Sequence, residues 1–199
     1  MSGRPRAFDD TEVIEAAMDV FWSNGYEGSS AQDLCERTGL GRGSLYNAFG
    51  NKQKLYHKAL AHYQELGIHT QMNILNGPGS VRDRLHSLMQ WGIDCDLGPC
   101  RGRSCMALFA TLERAGKDPK VAEINRVYVT RLEQILCHIF VVGQRTGEVP
   151  PTPSALEMAR AFLSSYYGLR ILGQSMPDHA FLQDVMEGTL ARLQLITEP

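Results

Sequence analysis

Apolar residues recur along this chain at intervals of three and four rather than two, and the gaps between apolar stripes carry helix caps and breakers. That pattern predicts an all-α protein of about nine helices. A first helix opens at Asp9, with Glu12 at capping-box spacing, presents Ile14, Met18, Phe21 and Trp22 on one face, and ends at Gly25. A second runs from Ser30, boxed by Asp33, to about Thr38, after which Gly39 permits a sharp turn. A third spans about Arg42 to Phe49 with Leu45 and Phe49 inward, Gly50 and Asn51 break and recap the chain, and a fourth helix reaches roughly Asn73.

Gly77, Pro78 and Gly79 mark a turn between Asn76 and Ser80, followed by a helix from about Val81 to Cys95. The stretch DLGPCRGRSC is a loop leading into a helix near Met106 to Ala115, and Asp118 with Pro119 reads as an N-cap followed by proline at the first helical position. From there Val121, Ile124, Tyr128, Leu132, Ile135, Ile139 and Val142 mark a helix of about seven turns. Three prolines interrupt Gly147 to Pro153, Ser154 and Glu157 make another capping box, and the two final helices split around Met176 and Pro177. Apolar residues surround the axis of the penultimate helix, so it must be covered on more than one side, by a second copy of the chain in a homodimer.

Composition narrows the function. Five cysteines, an odd number, and no secretory segment behind the polar, basic start MSGRPR point to a reducing cytoplasm rather than a disulfide framework. No stretch approaches the ~18 uncharged apolar residues of a membrane span. The net charge of −2 argues mildly against nucleic acid, but its distribution does not. Between Glu36 and Glu65 no acid occurs, while Arg37, Arg42, Lys52, Lys54 and Lys58 fall in that interval and Arg4 and Arg6 precede it. A basic face can therefore sit on an acidic protein, and a solvated helix face explains the same charges.

Two short helices separated by a glycine turn, Ser30 to Phe49, carry the mark of a helix-turn-helix (about residues 29–49). Ala31, Leu34, Cys35, Leu40, Leu45 and Phe49 hold it together and leave Arg42, Gly43, Ser44, Tyr46 and Asn47 outward. Arginine, hydroxyl and amide groups on a short exposed helix suit the major groove, where arginine bonds guanine and asparagine bonds adenine. An ordinary three-helix bundle would share the apolar pattern.

The segments FWSNGYEGSS, DLCERTGLGRGSLYNAF and NKQKL, within Phe8 to Tyr56, resemble the N-terminal domain of the tetracycline-repressor (TetR) family nearly without gaps. The resemblance implies a DNA-binding domain over residues 1–66 and a ligand-binding and dimerisation domain over 67–199. It implies that Tyr46 and Lys52 contact phosphates, that Ser30 meets the DNA backbone, and that Arg42, Gly43, Ser44 and Asn47 lie against base edges of a palindromic operator. Gly41 departs from the usual serine cap, Ala48 from a larger residue, and Cys35 from a small alanine. SGRPR resembles the basic arm of many relatives, which can follow the minor groove.

Beyond about residue 66 the resemblance implies a dimer seam from the last two helices and an effector cavity among the middle ones. Met72, Met89, Trp91, Met106, Phe109, Tyr128, Phe140, Phe162 and Tyr166 are candidates to line it, a set suited to a lipophilic or aromatic effector, although such helical stripes more often form plain core. CRGRSCM offers an alternative, since it resembles a segment in a TetR branch that includes regulators of electrophile detoxification. Thiols at Cys100 and Cys105 beside Arg101 and Arg103 suit a redox or electrophile sensor. No spacing supports a zinc site or another cofactor, and no phosphate loop, nucleophile elbow or metal helix points to an enzyme. A helical adaptor would not need Arg42, Tyr46 and Lys52 around one short helix.

Overall fold

A computed structural model describes residues 8–98, 103, 105–193 and 195, and among these the regular elements are nine helices. They are α1 (Asp10–Gly28), α2 (Ala31–Thr38), α3 (Arg42–Phe49), α4 (Lys52–Leu75), α5 (Val81–Leu97), α6 (Met106–Arg114), α7 (Pro119–Thr146), α8 (Ala155–Ser175) and α9 (His179–Arg192). Short polar side chains fix the starts: Ser30, Ser80 and Ser154 close capping boxes with Asp33, Asp83 and Glu157, while Asn51 and Asp118 accept from the first turns of α4 and α7. Asp9 caps α1 by accepting from the Thr11 N–H at 2.7 Å rather than closing a box with Glu12. Gly25, at φ 70°, kinks α1 instead of ending it, and helical structure resumes as far as Gly28. The helices α4 and α5 each run two residues further than the apolar pattern predicts, to Leu75 and Leu97.

Two apolar cores result. The first gathers Val13, Ala17, Phe21, Leu34, Leu45, Phe49, Leu55, Tyr56 and Leu60 from α1 to α4, and it also takes in Met106 and Ala110 of α6 and Val121 of α7. The second joins Ile68 and Leu75 of α4 to α5, α7, α8 and α9. A boundary at residue 66 therefore falls inside α4, whose 24 residues span about 36 Å and pack in both cores.

The helix α8 resolves into two faces. Phe162, Leu163, Tyr166 and Leu169 are buried against its own chain, whereas Leu156, Ile171 and Leu172, and Met176 at the C-cap, are exposed. Leu163 and Leu190 are buried in the core of the single chain.

Candidate functional site

The α2–α3 pair is built as a rigid presenter of α3. Leu34, Leu45 and Phe49 are sealed in the first core, and Leu40 packs against it from the turn. Gly39 at φ 70° takes the left-handed conformation that closes α2, which side chains with a Cβ adopt at a cost. Ser29 is buried and its hydroxyl donates to the Gly25 carbonyl at 2.6 Å, tying the kink to the entry of α2. The start of α3 has no side-chain cap at Gly41, so N–H groups of its first turn are left for another acceptor, such as a phosphate.

The outward row is as expected from the sequence. Arg42, Gly43, Ser44 and Asn47 are exposed, Tyr46 is half-buried, and Ser30 is exposed at the start of α2. The Arg42 guanidinium lies 6.0 Å over the Tyr46 ring, and the Lys52 ammonium lies 4.5 Å over the Tyr26 ring, beside the end of α3. Arg4, Arg6 and the rest of the basic arm lie outside the described residues.

Residues that sequence reasoning missed hold this unit to the rest of the chain. Glu113 of α6 accepts the Tyr26 and Glu27 N–H groups at 2.9 and 3.0 Å. Its neighbour Arg114 pairs with Glu27 at 2.7 Å and sits 4.3 Å over the Tyr26 ring. Asp118, 2% exposed, caps α7 and accepts from Gln53 Nε2 and His57 Nε2 of α4, both at 2.8 Å. Burial alone would push its carboxyl up, but the hydrogen bonds from Gln53 and His57 outweigh it and hold the pKa at about 2. The i, i+4 spacing of Gln53 and His57 puts them on one helix face, a signal visible in sequence, but nothing local points to an acceptor 61 residues away.

The candidate effector residues do not share one cavity. Met89, Phe140 and Tyr166 are sealed in the second core, where burial pushes the Tyr166 pKa up to about 12 against the lowering effect of the neighbouring Arg170 guanidinium. Met106 packs in the first core, and Phe109 is exposed on α6. Phe162 is core at the edge of a cleft between α8 and α9, and Trp91 faces a separate cleft. Tyr128 alone of these lines a 340 Å³ cavity between α6, α7 and α8, with Ala107, Leu108, Thr111, Asn125, Leu163 and Tyr167. Asn125, its buried polar group, donates to the Ala107 carbonyl and the Thr111 hydroxyl and accepts from Gln64.

Cys105 is 4% exposed at the start of α6, so a reagent reaches it only when the structure opens. Cys100 and Arg101 lie outside the described residues. Arg103 pairs with Asp19 at 3.5 Å and covers Trp22. Among the described residues no group of three or more His, Cys, Asp or Glu side chains is placed to hold a metal. No helix among them is long and apolar enough to cross a membrane.

Comparison with known proteins agrees with this geometry. The family profile "Bacterial regulatory proteins, tetR family" matches residues 13–59. The chain is 30% identical over 192 residues to the uncharacterized HTH-type transcriptional regulator YezE of Bacillus subtilis (strain 168), covering 96% of this chain and 99% of that protein. It is 26% identical to the HTH-type transcriptional repressor ComR of Escherichia coli (strain K12), over 96% of this chain and 91% of the other. Among solved structures it matches a cysteine mutant of the TetR family transcriptional regulator CifR complexed with 26-bp double-strand operator DNA. That match has a TM-score of 0.84 and 27% identity, over 96% of this chain and 100% of that one.

Proposed function

This chain belongs to the TetR family of transcriptional regulators, and on that premise we propose that it represses by binding a palindromic operator in double-stranded DNA as a homodimer, and lets go when a small lipophilic or aromatic effector binds. The observation that carries the DNA reading is the exposed row Arg42, Gly43, Ser44 and Asn47 on a short helix whose other face is locked into the core. Arg42 and Asn47 read base edges, and Tyr46, Lys52 and Ser30 fix the register on phosphates. The exposed apolar face of α8, with Leu156, Ile171 and Leu172 and with Met176 at its C-cap, supports pairing with a second copy, which a two-fold symmetric site requires. A reducing cytoplasm is the compartment that this role and the cysteine usage suit.

The cavity between α6, α7 and α8 supports the effector step. Its volume of 340 Å³ falls in the range of small-molecule sites, and its walls are nearly all apolar. The same short helix that supplies Ala107, Leu108 and Thr111 to the wall carries Glu113 and Arg114, which grip the corner between α1 and α2. A ligand that displaces α6 therefore changes how the two reading helices are held, and its coupling to DNA equals its difference in affinity for the two placements. A hundredfold loss of operator affinity needs about 2.7 kcal/mol of such coupling.

A mobility-shift assay on the DNA upstream of the chain's own gene tests the reading. A discrete, saturable complex is expected that resists excess non-specific DNA, with Asn47→Ala abolishing the resistance while leaving the fold intact by circular dichroism. Binding that non-specific DNA competes away equally in both proteins would overturn it.

A further inference from the structure

A second cleft lies where α1 of the DNA-reading unit leans on α4 and α5. Its volume is 420 Å³. Met18 and Trp22 of α1 form one wall, Tyr63 of α4 and Trp91 of α5 form others, and Arg170 of α8 lies at the back. The chain has two tryptophans, and both face this cleft. Trp22 and Tyr63 meet edge to face at 5.2 Å, so the walls are aromatic surfaces held at fixed angles rather than loose side chains.

The polar chemistry of the cleft selects its occupant. Arg170 is 5% exposed, and its Nε and Nη2 donate to the two carboxylate oxygens of Asp96 at 2.6 and 2.9 Å. Among the described residues its Nη1 reaches the Tyr166 hydroxyl alone, at the long distance of 3.5 Å. A guanidinium has five N–H donors, so the two remaining N–H directions suit a further acceptor. Asp96 already balances the charge of Arg170, and Asp94 lines the cleft, so a carboxylate ligand meets repulsion from Asp94 while the Arg170 charge is already paired. An organic cation is no better served, because guanidinium groups already lie near both indoles, Arg103 at 5.6 Å from Trp22 and Arg170 at 5.9 Å from Trp91.

We propose that this cleft is a second ligand site, distinct from the α6–α7–α8 cavity, for a neutral planar aromatic compound whose carbonyl oxygen accepts from Arg170. Stacking against Trp22 and Trp91 supplies the area, and the guanidinium supplies the orientation. Because one wall belongs to the DNA-reading unit and the others to the second core, an occupant is sensitive to how the two are placed.

The probe is 2-acetylnaphthalene, compared with 2-ethylnaphthalene, which lacks the acceptor, and 2-naphthoate, which adds a charge. Titration of the full-length chain is followed by calorimetry and by tryptophan emission. Saturable binding of the ketone is expected at one site per chain with a change in emission, about tenfold tighter than the hydrocarbon and tighter than the acid. Thr70→Phe, at the rim of the cleft, should remove it, while Val129→Phe, in the other cavity, should leave it unchanged. Arg170→Met is avoided because it strands Asp96 in the core. Loss of binding in the Val129 variant but not in the Thr70 variant would overturn the site, as would the absence of saturation. Equal affinity of ketone and hydrocarbon would overturn the role of Arg170. Operator binding by wild type without ligand is measured in parallel, so failure of the cleft and failure of the DNA reading are told apart.

Discussion

Replacing Asp118 by Asn tests the joint between the DNA-reading unit and the body of the protein with little change of shape. Asn is as good a helix cap as Asp, so the hydrogen bonds from the Lys120 and Val121 N–H groups survive. The loss is confined to the other oxygen, where an amide N–H would face the donors of Gln53 and His57. The carboxyl, ordinarily near 3.8, is held at about 2 in the folded chain. At 1.36 kcal/mol per pKa unit, ionised Asp118 contributes on the order of 2 kcal/mol to folding. Because the folded pKa is the lower one, that contribution is complete above about pH 4 and disappears as the pH falls toward 2. Urea unfolding at pH 7 should therefore show Asp118→Asn less stable by about 2 kcal/mol, with the gap to wild type closing as the pH is lowered from 5 toward 3. Most of the loss should couple to His57 in a double-mutant cycle with His57→Ala. Operator affinity should fall as well, since Gln53 and His57 follow Lys52 in the first turns of α4. A stability loss below about 0.5 kcal/mol, the level of an ordinary surface change, or a gap that does not move with pH, would refute the argument.

Lys52→Ala should weaken binding to all sequences alike and lower the salt slope by about one unit, whereas Arg42→Ala should relax preference at one base pair by ~1–3 kcal/mol; equal loss in both without a change in specificity, in salt-dependent binding to operator and scrambled DNA, would remove the recognition role of α3. Leu172→Glu should convert a dimer to a monomer in sedimentation with its helicity intact, while Leu190→Glu should lose the fold, because Leu190 is fully buried in one chain. Gly143→Ala should lower the melting temperature by several degrees, since a Cβ there would lie 2.5 Å from Val149 Cγ2 and 2.8 Å from Val81 Cγ2, an overpacking of ~1–3 kcal/mol; calorimetry showing an unchanged transition would count against the tight seating of the loop before α8.

Most of the fold was legible because its signals are local. Ser30 with Asp33 and Ser154 with Glu157 announce helix starts within four residues, and the stripe from Val121 to Ile139 states the length of α7 by period alone. The exposed row of α3 was legible for the same reason, since Leu45 and Phe49 fix which face turns inward. What the sequence left unread depends on meetings between distant segments. An aromatic or Met at helical spacing is apolar whether it ends in a core, as Met89 and Tyr166 do, or on a cavity wall, as Tyr128 does, and only packing decides. The axis of α8 looked apolar all round because Leu163 and Leu172 carry the same chemistry on opposite sides. Asp118 was legible as the cap of α7 but not as an acceptor for α4, and Glu113 and Arg114 only as the end of a helix, because their partners lie 61 to 87 residues away.

The sharing of α6 and α7 between the two cores bears on how such proteins can be recombined. Exchanging DNA-reading heads between relatives invites a cut in the middle of α4, near residue 66. In this chain such a cut leaves Met106, Ala110 and Val121 behind in the donor's own body, although all three are part of the head's interior. A chimera made this way inherits a mismatched floor under its recognition unit, together with foreign counterparts for Glu113 and Asp118. Moving residues 8–66 together with the donor's own Met106, Ala110, Glu113, Arg114, Asp118 and Val121 preserves the surface on which the head was built. The transplantable part is thus a set of side chains from two stretches of sequence rather than one contiguous block.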